Sequence, residues 1–266
     1  MAKRETDTTW QSLGQLAEAL QPAIYEAGAK IMEIHKSKVA ARLKPDGSPV
    51  TDADEAAEAI LLPALAEAAS DIPVISEENS ASHQLAPADL FFLVDPIDGT
   101  KEFLKPEGQG SFTVNIGLIH QGSPIFGLVY APAFDALYRG IVGHEAVKIT
   151  SEQQTPLQVR PIPPTGAVAV ASASHRDEAT NDWLATHQIA QTKSIGSSLK
   201  FCLVAEGQAD VYPRFGPTME WDTAAGDAVL RAAGGLVMAP DYTPYPYGKP
   251  DYRNGAFIAT GRWKAQ

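Results

Sequence analysis

The chain of 266 residues has little sulfur, no long apolar run and fewer basic than acidic residues, and each shortage excludes a class of protein. Its single cysteine, Cys202, excludes an intramolecular disulfide framework and fits a reducing cytosol. No window approaches the roughly 18 consecutive apolar residues that cross a bilayer, and the first residues lack the apolar stretch of a secretory signal. The sequence therefore predicts a cytoplasmic protein without a transmembrane segment. It leaves the oligomeric state and peripheral association with a membrane open.

The shortage of positive charge limits the kinds of ligand. There are 32 acidic and 21 basic residues, and the formal net charge is −11. Long nucleic acid is excluded as a partner, because affinity for a phosphate backbone depends on a basic surface. A small phosphorylated ligand is not excluded, since metal ions held by clustered carboxylates reverse the sign of the local field.

Residues 1–165 are predicted to form an α+β half of the molecule. Helical spacing of apolar residues predicts a helix over 10–39 and a second over 54–70, with acidic residues in the second helix's first turn. Short apolar runs bounded by turn residues then predict strands over 72–76, 90–95, 111–119, 125–132 and 136–142. The proline-rich stretch TPLQVRPIPPTG (155–166) marks the boundary between two subdomains.

Residues 166–266 are predicted to form an α/β half. Strand patterns such as AVAVAS and ADVYPR alternate with helical patterns such as SSLKFCLVAEG and DTAAGDAVLRAAGG, and the last of these ends in glycines. The segment PDYTPYPYGKPDYRNG (240–255) is interpreted as a surface loop. Together the halves indicate a layered α/β enzyme.

The stretch LVDPIDGTKEF (93–103) places two carboxylates at the end of a strand that should be buried. Asp95 ends the apolar run, Pro96 is expected to end the strand, and Gly99 permits a tight turn. A turn in which Asp95 and Asp98 cap backbone amides is one reading. The other is a metal site, because burying two uncompensated carboxylates is costly and oxygen ligands suit Mg²⁺.

Other acids lie where they could complete such a site. Glu77 follows the strand IPVIS, Asp222 stands at the start of a helix, and Asp52 stands at the mouth of the second helix. The acids Asp54, Glu78 and Asp227 are instead interpreted as helix caps or solvated charges. Near the metal site, the hydroxyl of Thr100 is placed to help deprotonate a water for in-line attack on phosphorus.

Two distant motifs carry a resemblance. DPIDGT (95–100) and WDTAAGDA (221–228), with SEE (76–78) before them, resemble the paired signatures of the inositol monophosphatase superfamily. The resemblance covers nearly the whole chain and implies a sugar-phosphatase-like αβαβα sandwich and Mg²⁺-dependent, lithium-sensitive phosphatase activity. DGTKEF and GSSLKF (196–201) are similar to the 3′(2′),5′-bisphosphate nucleotidase branch. The glutamate with which the inositol-type enzymes hold sugar hydroxyls is replaced here by RFG (214–216).

The resemblance implies a set of metal ligands and a pair that activates water. One Mg²⁺ would be bound by Glu77, Asp95 and the carbonyl of Ile97. A second would be bound by Asp95, Asp98 and Asp222, and Glu77 would contact a third, weaker ion through waters. The attacking water would be activated by Asp52 and Thr100.

It also implies a substrate site. The scissile phosphate would be held by Gly99, Thr100 and Lys101. The nucleotide and its retained 5′-phosphate would be contacted by His175, Ser197, Lys200 and Arg214. Each of these last four residues has an ordinary alternative: a loop residue, a helix cap, a solvated side chain and a surface ion-pair partner.

The implied reaction is hydrolysis of the 3′-phosphate of adenosine 3′,5′-bisphosphate to AMP, in the context of sulfur assimilation, and 3′-phosphoadenylyl sulfate is a second candidate substrate. The alternatives are an inositol monophosphatase, a fructose-1,6-bisphosphatase-like sugar phosphatase, and a non-catalytic nucleotide-binding regulator. The retained acids and Thr100 disfavour the last of these.

Overall fold

The protein is described by a computed structural model that covers residues 2–37, 42–43, 49–105, 110–172, 176–187 and 189–263. Its helices are α1 (Ala2–Lys36), α2 (Asp52–Ala68), α3 (Thr100–Phe103), α4 (Glu178–Thr186), α5 (Leu199–Ala205) and α6 (Ala224–Ala232). Short 3₁₀ turns lie at Ser82–Gln84, Pro132–Phe134 and Pro250–Tyr252.

The strands of the first half are β1 (Arg42–Leu43), β2 (Pro49–Val50), β3 (Val74–Ser76), β4 (Leu90–Asp98), β5 (Thr113–His120), β6 (Ser123–Ala131), β7 (Ala136–Ile141), β8 (Glu145–Ile149) and β9 (Gln154–Pro156). Those of the second half are β10 (Ala167–Ser172), β11 (Ile189–Ile195), β12 (Val211–Arg214), β13 (Thr218–Met219), β14 (Leu236–Met238), β15 (Arg253–Asn254) and β16 (Phe257–Thr260).

Two large sheets organise these elements. The first contains β3 to β9 in chain order, and its neighbours are antiparallel except for the parallel pair of β3 and β4. The second has the order β11-β10-β12-β16-β14, with parallel pairs on both sides of β10 and antiparallel pairs on both sides of β16. Both sheets are therefore mixed: the pairing mode changes at β4, next to the edge of the first sheet, and at β12, the central strand of the second.

Helices separate and cover the sheets in five layers. Helices α1 and α2 pack on the outer face of the first sheet, α5 and α6 lie between the sheets, and α4 packs on the outer face of the second. In α1 the buried residues recur every three or four positions, so that one apolar stripe faces the sheet: Leu13, Ala17, Leu20, Ile24, Ala27 and Ile31. The αβαβα sandwich is thus confirmed.

A row of glycines lets α6 lie directly on the first sheet. Gly117, Gly127 and Gly140 are paired across β5, β6 and β7. A Cβ at Gly117 would come within 2.7 Å of the Ala224 side chain, and one at Gly140 within 2.5 Å of the Val229 Cα. The backbone of α6 therefore occupies the space that side chains would fill.

The strand β4 differs from its prediction. It continues past Pro96 to Asp98, and its pairing with β5 shifts register between Asp95 and Asp98. Proline is tolerated there because a bulge leaves a residue outside the hydrogen-bond ladder. The prediction that Pro96 ends the strand is wrong.

The Pro/Tyr-rich segment is also not simply a surface loop. Tyr245, Tyr247 and Tyr252 are all buried. The Tyr247 hydroxyl lies 3.1 Å from Thr223 Oγ1, and the Tyr252 hydroxyl donates to the carbonyl of Leu85 at 2.8 Å. Buried tyrosine is stable there because its hydroxyl finds a partner.

The predicted boundary at residue 165 falls between β9 of the first sheet and β10 of the second. The two halves share the core between the sheets, and their division into subdomains stays a prediction. None of the helices in the described residues combines the length and the apolarity that a bilayer crossing requires.

The close approach of α6 gives a stability prediction. A Cβ at position 127 would fall on the carbonyl oxygen of Ala225, so we expect Gly127→Ala to lower the free energy of unfolding by about 1–3 kcal/mol. The matched control is Gly14→Ala in α1, where an added Cβ meets nothing within 4 Å. Removing a helical glycine there should raise stability by about 0.5–1 kcal/mol. Urea unfolding measures both, and equal effects of the two substitutions would contradict the packing argument.

Candidate metal and active site

Three elements bring carboxylates to one point. Glu77 directly follows β3, and its backbone N–H donates to Val94 O at 3.1 Å, which continues the pairing with β4. Asp95 lies in β4 and is 1% exposed. Asp222 precedes α6. One carboxylate oxygen from each of Glu77, Asp95 and Asp222 lies within 4.8 Å of the other two, which is a separation that one cation can bridge.

The electrostatics of the cluster are unfavourable without positive charge. Burial raises the pKa of Asp95 well above its usual range, and repulsion from Glu77 and Asp98 adds to the shift. Burial, with repulsion from Asp222, raises the pKa of Asp98 to about 6. The ligand set is all oxygen, so a hard divalent cation fits it and would relieve the repulsion.

The end of β4 directs backbone polar groups toward the carboxylate cluster. The backbone N–H of Ile97 donates to Asp95 Oδ1 at 3.0 Å, while the side chain of Ile97 is buried in the core. The carbonyl of Ile97 lies 3.3 Å from Thr100 Oγ1. Of the predicted metal ligands, the structure thus groups Asp95, Ile97 and Asp98 in one bulged strand end.

The predicted phosphate-binding residues form the turn that follows. Gly99 has φ +95°, a conformation that glycine adopts without strain, and its carbonyl accepts the backbone N–H groups of Glu102 and Phe103 at 2.9 Å. The helix that begins there, α3, is a single turn, and Lys101 on it is exposed.

Asp54, and not Asp52, lies beside Thr100. Asp54 is 1% exposed, and its Oδ1 lies 3.5 Å from Thr100 Oγ1. Its Oδ2 accepts the backbone N–H of Thr51 at 2.8 Å and the Thr51 hydroxyl at 2.7 Å in a capping box. The Asp52 side chain is 70% exposed and pairs with Arg42 at 3.1 Å. The assignment of Asp52 to water activation therefore does not fit its position, because the first turn of α2 directs it to solvent.

The predicted nucleotide-binding residues occupy different environments. Ser197 is buried with φ +53°. The ammonium of Lys200 is buried against the carbonyls of Ser197 (2.6 Å) and Ile195 (3.4 Å), and burial lowers its pKa to about 8 although Asp98 opposes the shift. His175 lies outside the described residues.

Arg214 ends β12, and its guanidinium lies beside the Tyr212 hydroxyl. A terminal nitrogen of its guanidinium donates to Pro217 O at 2.8 Å. Its Nε is buried and has no hydrogen-bond partner within the described residues. Buried donors are normally satisfied, so this atom is a candidate contact for a ligand.

Sequence reasoning missed two hydroxyls that contact the acids. Ser198 Oγ lies 3.0 Å from Asp98 Oδ2 and 2.8 Å from the carbonyl oxygen of Asp222. The Thr218 hydroxyl donates to Asp222 Oδ2, which also accepts the backbone N–H of Met219 at 2.9 Å. No sequence pattern singles out Thr218, whereas Ser198 neighbours a predicted site residue.

The raised pKa of Asp98 gives a pH prediction. A folded-state pKa near 6, above the unfolded value of about 3.9, means that the metal-free protein gains stability as the pH falls through 6. We expect its Tm to rise between about pH 7.5 and 5.5. A divalent cation should raise the Tm more at about pH 7.5 than at about pH 5.5, because Asp98 is already ionised at the higher pH and the cation need not displace its proton. Scanning calorimetry with and without Mg²⁺ measures this; Asp98→Asn should weaken the pH dependence. Equal metal-induced increments at both pH values would contradict the prediction.

Comparison with known proteins identifies the family of this chain. A model of the inositol monophosphatase family matches residues 12–266. The chain is 46% identical over 238 residues to the 3′(2′),5′-bisphosphate nucleotidase CysQ of Salmonella typhimurium, covering 86% of this chain and 92% of that protein. It is 46% identical over 226 residues to the CysQ of Escherichia coli K12, covering 82% and 90%.

A solved structure agrees with the same assignment. That structure is CysQ from Bacteroides thetaiotaomicron, a bacterial member of the inositol monophosphatase family. Its TM-score is 0.79 at 37% identity, over 93% of this chain and 97% of that one. The chain belongs to the inositol monophosphatase family, whose members depend on metal.

Proposed function

We propose that this enzyme is a Mg²⁺-dependent phosphomonoesterase that hydrolyses the 3′-phosphate of adenosine 3′,5′-bisphosphate to AMP and phosphate. The observation that carries the proposal is the cluster of Glu77, Asp95 and Asp222 in a chain 46% identical to proteins named 3′(2′),5′-bisphosphate nucleotidase. We place the reaction in the cytoplasm, where it removes a nucleotide by-product of sulfate assimilation. The same site would accept 3′-phosphoadenylyl sulfate.

The acids at the strand ends would hold the metal. Glu77, Asp95 and the carbonyl of Ile97 would bind one Mg²⁺, and Asp95 would share a second with Asp98 and Asp222; a third, weaker ion would meet Glu77 through waters. Bound Mg²⁺ supplies positive charge to the phosphoryl oxygens and lowers the pKa of a bound water. Li⁺ would inhibit by occupying the second position.

Thr100 and Asp54 would take the proton from the attacking water. The capping box fixes Asp54 Oδ2, so its Oδ1 remains directed at the Thr100 hydroxyl. This hydroxyl can accept a hydrogen bond from water while it donates to the carboxylate. The water oxygen bonds to phosphorus, the bond from phosphorus to the ribose 3′-oxygen breaks, and that oxygen takes up a proton.

The remaining residues would bind the substrate. The turn of Gly99, Thr100 and Lys101 would hold the scissile phosphate. Arg214 has an unsatisfied buried Nε, which supports a contact with the retained 5′-phosphate. The buried ammonium of Lys200 would add positive charge from behind Ser197, and His175 would line the adenosine pocket.

The substrate assignment has a direct test. We expect turnover of adenosine 3′,5′-bisphosphate with Mg²⁺ to exceed that of inositol 1-phosphate at equal concentration, because position 214 carries a cation that can meet a second phosphate and not an acid that holds sugar hydroxyls. Phosphate release measures both rates. Faster hydrolysis of the inositol ester would favour the inositol monophosphatase alternative, and no hydrolysis of either would favour a binding protein.

The water-activating pair is tested by two isosteric changes. Asp54→Asn should lower kcat by about 10²–10⁴, because the proton acceptor behind Thr100 is lost. Asp52→Asn, two residues away and exposed, should leave kcat within about twofold, since a surface ion pair contributes little. Thermal unfolding of both variants excludes a folding defect. A larger loss in Asp52→Asn than in Asp54→Asn would restore the sequence-based assignment.

A further inference from the structure

The turn between β11 and α5 packs closely against Glu102 of α3 and against Ser111, which lies shortly before β5. The backbone N–H of Gly196 donates to Ser111 Oγ at 3.3 Å. A Cβ at position 196 would approach the Ser111 carbonyl oxygen to 2.8 Å and Glu102 Cγ to 2.7 Å. Only glycine allows this contact, and it brings the start of α5 to the end of β4.

Two features shape the backbone that follows Gly196: a left-handed residue and a buried ammonium group. Ser197, two residues before α5, has φ +53°, in the left-handed region that residues other than glycine rarely adopt. The buried ammonium of Lys200 binds the carbonyl oxygens of Ser197 and Ile195 and so fixes the turn from inside. As a result Ser198 is 1% exposed, with its hydroxyl among the acids of the site.

The Ser198 hydroxyl contacts two acids that belong to different halves of the chain. Asp98 ends β4 of the first sheet, and Asp222 precedes α6 in the second half of the chain. The hydroxyl lies 3.0 Å from Asp98 Oδ2 and 2.8 Å from the Asp222 carbonyl oxygen, so one proton is shared by two acceptors. Asp222 Oδ2 is held separately by Thr218 and Met219. Ser198 is therefore the link between these two acids.

We propose that Ser198 is a positioning residue of the metal site: by binding both the Asp98 carboxylate and the Asp222 backbone, it orients two acids that would share a divalent cation. The inference rests on the proposed metal site. Without the hydroxyl, Asp98 is free to turn away from Asp222, and binding the cation must then overcome their repulsion. A partner that orients a ligand in this way typically changes metal affinity by about 10–100-fold when it is removed.

The test is calorimetric titration of Mn²⁺ and Mg²⁺ into the metal-stripped full-length protein, without nucleotide. We expect Ser198→Ala to weaken binding at least about tenfold, with a metal-free Tm close to that of the original protein. The matched control is Ser194→Ala, an exposed serine on β11, which should bind as the original protein does. In kinetics, Ser198→Ala should raise the Mg²⁺ concentration for half-maximal rate and leave the nucleotide KM at saturating Mg²⁺ unchanged.

A second variant separates the hydrogen bond from packing. Ser198→Cys keeps a similar volume but offers only a weak donor, so it should bind metal as poorly as Ser198→Ala. If either variant bound the metal as tightly as the original protein, the proposed role of the Ser198 hydroxyl would be wrong. If the original protein itself bound neither ion, the failure would lie with the metal site of the proposed function.

Discussion

Repulsion among buried carboxylates is the constraint on which the rest of this structure depends. Asp95 is removed from water within a strand, and Glu77 and Asp222 are brought to it from two other elements. Folding such acids together is unfavourable unless protons or a cation neutralise them. The bulge in β4, the hydroxyls around Asp98 and Asp222 and the placement of α6 all hold these oxygens in place against that repulsion.

Much of the fold could be predicted because its elements carry local signals. The central strands of the first sheet are short apolar runs bounded by turn residues, and the stripe of α1 is visible at helical spacing. Strands β8 and β9 escaped prediction because EAVKI and QTP have little apolar alternation and are strands through pairing with β7 and with each other. The buried tyrosines near residue 250 were missed for a related reason, since their partners lie far away in sequence.

The types of residue in the candidate site could be predicted from the sequence, whereas the direction in which each side chain points could often not. Asp52 and Asp54 are equally acidic and stand in the same helical turn, but only Asp54 falls on the buried stripe of α2, three and seven residues before Ala57 and Leu61. That spacing was a usable signal. The environment of Lys200 had no such signal, because its ammonium is buried against the carbonyl oxygens of Ile195 and Ser197, and the position of those atoms depends on the left-handed backbone of Ser197.

Helix α6 rests on polypeptide backbone where it crosses Gly117, Gly127 and Gly140. Its distance from the first sheet is set by atoms that do not change with side-chain identity. Substitution of aliphatic residues elsewhere in the core leaves this contact between the helix and the strand backbones in place. The glycine row therefore fixes the start of α6, and with it Asp222, relative to the first sheet, because at these three positions no strand side chain that a substitution could remove lies between the helix and the strands.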